Sequence, residues 1–79
     1  MNTEDIASLI RQGLAVTTVE VESEDNTHFA ALVVSEDFDG LRPLQRHQLV
    51  YRALGDKMGG EIHALSIRAL TPAELAAGA

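Results

Sequence analysis

The sequence predicts an α+β fold: a three-stranded mixed sheet packed by helices, in the chain order α-β-β-α-β-α. Three observations predict it. Two β-patterned runs, Val16 to Ser23 and His28 to Ser35, flank the short polar segment Glu24-Asp25-Asn26-Thr27 and so read as an antiparallel hairpin. A longer segment, roughly Arg42 to Met58, repeats apolar residues every three or four positions and stops at Gly59-Gly60. A third apolar stretch, Glu61 to Ala69, then runs into Leu70-Thr71-Pro72-Ala73-Glu74-Leu75, which has the form of a helix start.

The elements follow in order. Asn2 or Thr3 caps a first helix, and Glu4 and Asp5 fall in its first turn, where the helix dipole favours acids. Ile6, Leu9 and Ile10 form its apolar stripe, and Gly13 ends it. In the first strand Val19 and Val21 alternate with Glu20 and Glu22, so one face is wet. The second strand, with Phe29 to Val34 apolar on both faces, is expected to be central. Phe38 tucks inward in the connection that follows, and Gly40 supplies backbone freedom.

Pro43 marks the first turn of the long helix, with Leu44, His47, Tyr51, Leu54 and Met58 as its buried stripe and Val50 beside them. Arg42, Arg46, Gln48 and Arg52 lie off that stripe. The last strand places Ile62 and Ala64 on one face and His63, Leu65, Ile67 and Ala69 on the other, both largely covered. Thr71 caps the closing helix, Pro72 takes its first position and Glu74 reaches back to the cap. The second strand, long helix and third strand make a crossover unit, expected to be right-handed with parallel strands.

Whole-chain numbers bound the function. The 79 residues make one domain over 1–79, near the size at which a core supplies only about 3–5 kcal/mol. There is no cysteine, so the chain offers no disulfide, thiolate ligand or cysteine nucleophile of its own. The formal net charge of −6 opposes generic binding to nucleic acid, where phosphate neutralisation dominates affinity. No apolar run reaches the roughly 18 residues of a membrane span. The acidic start Met1-Asn2-Thr3-Glu4-Asp5 lacks the apolar core of a secretory signal. A cytoplasmic location is the default expectation.

The chemistry-bearing residues are few. On the residues alone, His63 reads as a histidine satisfied by a backbone carbonyl at a strand entrance. His28 reads as an exposed hairpin residue, pointing away from buried Phe29. His47, on the inner stripe, reads as structural, bonded near the sheet or the Phe38 turn. Arg42, Arg46 and Arg52, with Arg68 near them, are either a solvated helix face or a patch for an acidic partner. Glu20, Glu22, Glu24 and Asp25 read as a solvated strand face and turn. Ser66 sits mid-strand, and no phosphate-cradling glycine pattern is present. A non-enzyme is expected.

Three blocks carry a resemblance. They are Thr27-His28-Phe29 leading into Leu32-Val33-Val34-Ser35; Phe38-Asp39-Gly40-Leu41 with Leu44-Gln45-Arg46-His47-Gln48-Leu49-Val50-Tyr51; and Ile62-His63-Ala64-Leu65-Ser66-Ile67 with Thr71-Pro72-Ala73-Glu74. Together, from about Val16 to Leu75, they resemble the BolA family, more closely its short IbaG-like bacterial branch. The resemblance implies a fold like the class II KH domain. It implies a monothiol glutaredoxin partner with a Cys-Gly-Phe-Ser motif, and a 2Fe-2S cluster shared with that partner and glutathione. It makes His63 the family's common metal ligand. The resemblance also implies a second ligand, His or Cys, from the loop between the first two strands; residues 24–27 contain neither, and His28 at the edge of that loop is the nearby candidate.

Such a cluster suits a cysteine-free chain, because the partner supplies the thiolates. The function implied is an iron–sulfur trafficking or regulatory adaptor. The alternative, from the KH-like fold, is a nucleic-acid-binding transcriptional regulator. An RNA-binding KH domain would carry a Gly-x-x-Gly loop between two helices, and Gly59-Gly60 lacks that spacing. A third reading is an interaction module in which the histidines play no part.

Overall fold

The computed structural model describes residues 1–62 and 64–78. Its elements follow the predicted order. Asn2 opens α1 (Thr3–Gly13) with a reciprocal cap: its Oδ1 accepts from the Asp5 amide at 2.9 Å, and Asp5 Oδ2 accepts from the Asn2 amide at 3.0 Å. Ile6, Ala7 and Ile10 are buried on its inner face.

β1 (Thr18–Glu22) is shorter than the apolar run that announced it, and it pairs antiparallel with β2 (His28–Val34). A 3₁₀ turn at Glu36–Phe38 follows, and its Phe38 ring is fully buried. Ser35, also buried, accepts from the Asp37 amide and donates to the Ala15 carbonyl, so the hydroxyl is satisfied where an unpaired one would be costly.

α2 (Pro43–Leu54) starts at its proline as expected, with Gln45 Oε1 accepting from the Arg42 amide at 2.9 Å. It ends four residues before Met58. Gly55, at φ 63°, breaks the helical path and a 3₁₀ turn, Gly55–Lys57, takes over. β3 (Ala64–Leu70) joins β2 in parallel, so the sheet order is β1-β2-β3 with β2 central. α3 (Pro72–Ala76) closes the chain behind the predicted cap: Thr71 Oγ1 accepts from the Glu74 amide at 3.1 Å and Glu74 Oε1 accepts from the Thr71 amide at 2.9 Å.

The core lies on one face of the sheet. Ile6 and Ile10 of α1, Phe29 and Val33 of β2, and Val50 and Leu54 of α2 meet there, with Phe38 and Ile62. Each such side chain contributes roughly 1.5–3 kcal/mol by leaving water.

Three expectations are corrected. Leu44 is 68% exposed and Tyr51 38%, so the line turned inward on α2 is Arg46, Val50 and Leu54. Leu54 belongs to both candidate lines, and the helix rotates to the one whose polar member finds partners. β3 is not covered on both faces: Ala64, Ser66 and Arg68 are exposed, because α1 and α2 both pack on the opposite side. Ile62 is buried in the core while Ala64 is open, and Ile62 lies outside the strand, in an isolated parallel bridge to Met58. Finally, of the two readings of the arginines, the solvated face holds for Arg42 and Arg52 and the single patch does not. Arg46 is sequestered, with its side chain 11% exposed, and Arg68 lies on the sheet face remote from α2.

Candidate functional site

The open face of the sheet and the β1–β2 turn form the candidate site. Alternation along the strands sends Glu20 and Glu22 of β1, His28, Ala30 and Leu32 of β2, and Ala64, Ser66 and Arg68 of β3 to that face. Register lines them up in rows: Glu22, Ala30 and Ser66 in one, Glu20, Leu32 and Arg68 in the next. The small residues leave a shallow depression of about 290 Å³, flanked by the two glutamates on one side and Arg68 on the other.

His28 stands at the end of this face, opposite Ala64 of β3, the residue that follows His63 in the chain. Its side chain is 70% exposed. The turn before it is built by short polar side chains. Ser23 Oγ donates to the His28 carbonyl at 2.6 Å and accepts from the Asn26 amide at 2.9 Å. Asn26 takes the left-handed region at φ 56°, which asparagine tolerates better than most residues.

Asp25 ties the turn to the ring. Its Oδ1 accepts from the amides of Thr27 and His28, each at 2.9 Å, and its Oδ2 lies 2.9 Å from His28 Nδ1. The His28 amide, then the His28 ring, then the Thr27 amide hold the Asp25 carboxyl far below the usual carboxylate range. A second open depression, about 330 Å³, runs beside the ring past Asp25 and Glu22.

The sequence-predicted residues fare differently. His28 is outward-facing, as its alternation with Phe29 required. His63 lies outside the described residues. His47 is half-buried and makes no side-chain hydrogen bond to another described residue; the structural role expected of it beside Phe38 belongs to its neighbour Arg46. Asp25 is solvated, as its place among the turn acids implies, with its side chain 52% exposed; beyond that it anchors the His28 ring. The signal was present in the spacing Ser23-x-Asp25-x-x-His28, which suits a turn whose side chains bond back to the following strand. Among the described residues no three His, Asp or Glu side chains gather closely enough to hold a metal ion unaided. None of the described helices is long and apolar enough to cross a membrane.

Comparison with known proteins gives a consistent result. A family model described as BolA-like protein matches residues 11–74. BolA-like protein 1 of Homo sapiens is 41% identical over 78 residues, covering 87% of this chain and 57% of its own length, so the chain spans little more than half of that relative. Acid stress protein IbaG of Escherichia coli (strain K12) is 39% identical over 77 residues, covering 96% of this chain and 90% of its own length. A Vibrio cholerae protein named DNA-binding transcriptional regulator BolA is 50% identical over 48 residues, which is 61% of this chain and 45% of that protein. Among solved structures, BolA1 of Mus musculus superposes with a TM-score of 0.86 at 36% identity, covering 96% of this chain and 69% of that one. The BolA domain of SufE1 from Arabidopsis thaliana gives a TM-score of 0.80 at 35% identity, covering 91% of this chain and 93% of that one.

Proposed function

From the premise that this chain belongs to the BolA family, we propose that it is an iron–sulfur trafficking or regulatory adaptor. In this reading it binds a monothiol glutaredoxin of the Cys-Gly-Phe-Ser type and shares a 2Fe-2S cluster with it and glutathione. The observation that carries the reading is His28: an exposed imidazole on the open sheet face, in a chain with no cysteine.

The donor set fits a shared cluster and not a self-contained one. Neutral imidazole ligates iron well, whereas no described cluster of side chains completes a coordination shell. His28 and His63 are the ligands this chain would contribute, and the partner and glutathione the thiolates. Replacing thiolate by histidine raises a cluster's potential and makes its binding proton-sensitive. The bound cluster supplies iron–sulfur transfer and redox sensing; the chain supplies two nitrogen donors and a surface to dock on. The SufE1 match supports action beside other proteins, since there a BolA domain is part of a named larger protein.

A second reading is favoured by the Vibrio relative, which is named a DNA-binding transcriptional regulator. The net charge of −6 and the sequestration of Arg46 weaken it here. Salt-dependent, sequence-selective retardation of DNA would establish it.

The deciding experiment mixes the purified chain with a Cys-Gly-Phe-Ser glutaredoxin, glutathione, iron and sulfide, and records visible absorbance and circular dichroism. A heterodimer spectrum distinct from that of the glutaredoxin alone, abolished by His63→Ala and altered by His28→Ala, is the expected result. Absence of a complex, or a spectrum indifferent to both substitutions, removes the adaptor reading.

A further inference from the structure

We infer that Asp25 is a positioning residue for His28: its carboxylate selects the Nδ1–H form of the imidazole and leaves Nε2 as the bare donor atom facing solvent. The inference rests on the ligand role proposed above for His28 and adds the residue that prepares it.

The geometry carries the argument. Asp25 Oδ1 already accepts two backbone amides, Thr27 and His28, so the carboxylate is not free to turn. Its Oδ2 is thereby fixed at 2.9 Å from Nδ1 of the ring. A carboxylate only accepts, so the nitrogen facing it must carry a proton. In a neutral imidazole the other nitrogen then has none and offers its lone pair. Histidines that bind metals very often have their second nitrogen engaged by a carboxylate in this way, which fixes both tautomer and ring orientation.

A turn alone does not require this contact. Closing the turn takes one acceptor for the Thr27 and His28 amides, and Oδ1 provides it. Asparagine or serine at position 25 would serve that purpose too. Only a carboxylate also presents an acceptor to Nδ1. The backbone under the ring is held as well, through the bond from Ser23 Oγ to the His28 carbonyl. An exposed side chain that is already oriented loses less rotamer freedom when it binds.

Asp25→Asn isolates the effect. An amide nitrogen cannot accept, so the asparagine oxygen must keep facing the two backbone amides. Its NH₂ then faces Nδ1 and favours the Nε2–H tautomer, which blocks the donor atom while preserving the turn. The free protein is examined first, by long-range ¹H–¹⁵N spectra about two pH units above the ordinary imidazole pKa. Wild type should show Nδ1 protonated and Nε2 bare, and Asp25→Asn the reverse, with the Thr27 and His28 amide signals still those of a folded turn.

The complex with glutaredoxin, glutathione, iron and sulfide is examined second. Asp25→Asn should change the visible circular dichroism as His28→Ala does and speed cluster loss to a chelator by about tenfold or more. Wild-type His28 found as Nε2–H overturns the inference, whatever the cluster does. So does a cluster spectrum and lifetime that respond to His28→Ala but not to Asp25→Asn. A spectrum indifferent to His28→Ala, with the tautomers as expected, instead rejects the ligand role and with it any use of Asp25 in ligation.

Discussion

Arg46 of α2 and Glu74 of α3, 28 residues apart, form a two-pronged ion pair, with Nη1 2.6 Å from Oε1 and Nη2 3.1 Å from Oε2. The same guanidinium donates to the carbonyls of Leu41 and Ala69, each at 3.0 Å, and lies 5.9 Å over the Phe38 ring. Glu74 meanwhile closes the cap of α3 through the Thr71 amide. One pair thus ties the start of α2, the Phe38 turn, the end of β3 and α3 together. The fork of arginine matches a carboxylate as no other cation does.

Arg46→Met keeps the aliphatic stem and removes every one of these bonds. It should lower stability by roughly 2–3 kcal/mol, because the Glu74 carboxylate and the carbonyls of Leu41 and Ala69 lose a charged donor. Arg46→Lys should recover only part of the loss, since a single ammonium cannot reproduce the fork. Urea denaturation of the three proteins measures both effects.

The pair also predicts an acid response. The Arg46 guanidinium, then the Thr71 amide, hold the Glu74 carboxyl down to about 2, from an ordinary 4.5. A group whose folded pKa is depressed stabilises fully above its unfolded pKa and loses that contribution as pH falls through the folded one. Wild type should therefore exceed Glu74→Gln in stability at neutral pH, and the gap should close as pH falls from 4.5 to about 2. Thermal melts of both proteins across that range test it; a gap that stays constant contradicts the assignment.

Gly13, at the end of α1, faces Ala53 of α2 so closely that a Cβ on it would stand 2.7 Å from Ala53 Cβ and 2.8 Å from Ala53 Cα. Gly13→Ala should destabilise by roughly 1–3 kcal/mol, the usual cost of overpacking. Ala53→Gly removes the Cβ contact and leaves the Cα at 2.8 Å, so the double variant should recover only part of the Gly13→Ala loss while being less destabilised than the two single losses added together. A double-mutant cycle by denaturant melts reads this coupling.

The rotation of α2 is testable by a contrast. Val50 is fully buried and Leu44 is 68% exposed. Val50→Ala removes two buried methyl groups and should cost roughly 2 kcal/mol. Leu44→Ser should stay within about 0.5 kcal/mol of wild type. The reverse order would restore the stripe through Leu44 and Tyr51.

Much of this protein is local, and the sequence by itself determined that part. Asn2 with Asp5, and Thr71-Pro72 with Glu74, start helices because their side chains bond amides only three residues away. Alternation around Phe29 sends His28 outward whatever the rest of the fold does. The crossover order makes β3 parallel to β2. Burial of Phe38 was legible as well, because a large ring in a tight polar connection has nowhere else favourable to go.

Tertiary structure decided what periodicity leaves degenerate. A helical repeat says which side chains share a face, not which of two overlapping faces turns inward. On α2 the choice fell on Arg46, Val50 and Leu54, because Glu74 and the Ala69 carbonyl arrive from far along the chain to satisfy a charge that pattern alone assigns to water. Both helices packing on one side left Ala64, Ser66 and Arg68 open, which no count of apolar residues in β3 reveals. Asp25 remains a solvated acid, and its contact with His28 three residues on is hinted at by spacing, but that its second oxygen meets Nδ1 follows from the backbone path through Asn26, which composition does not give.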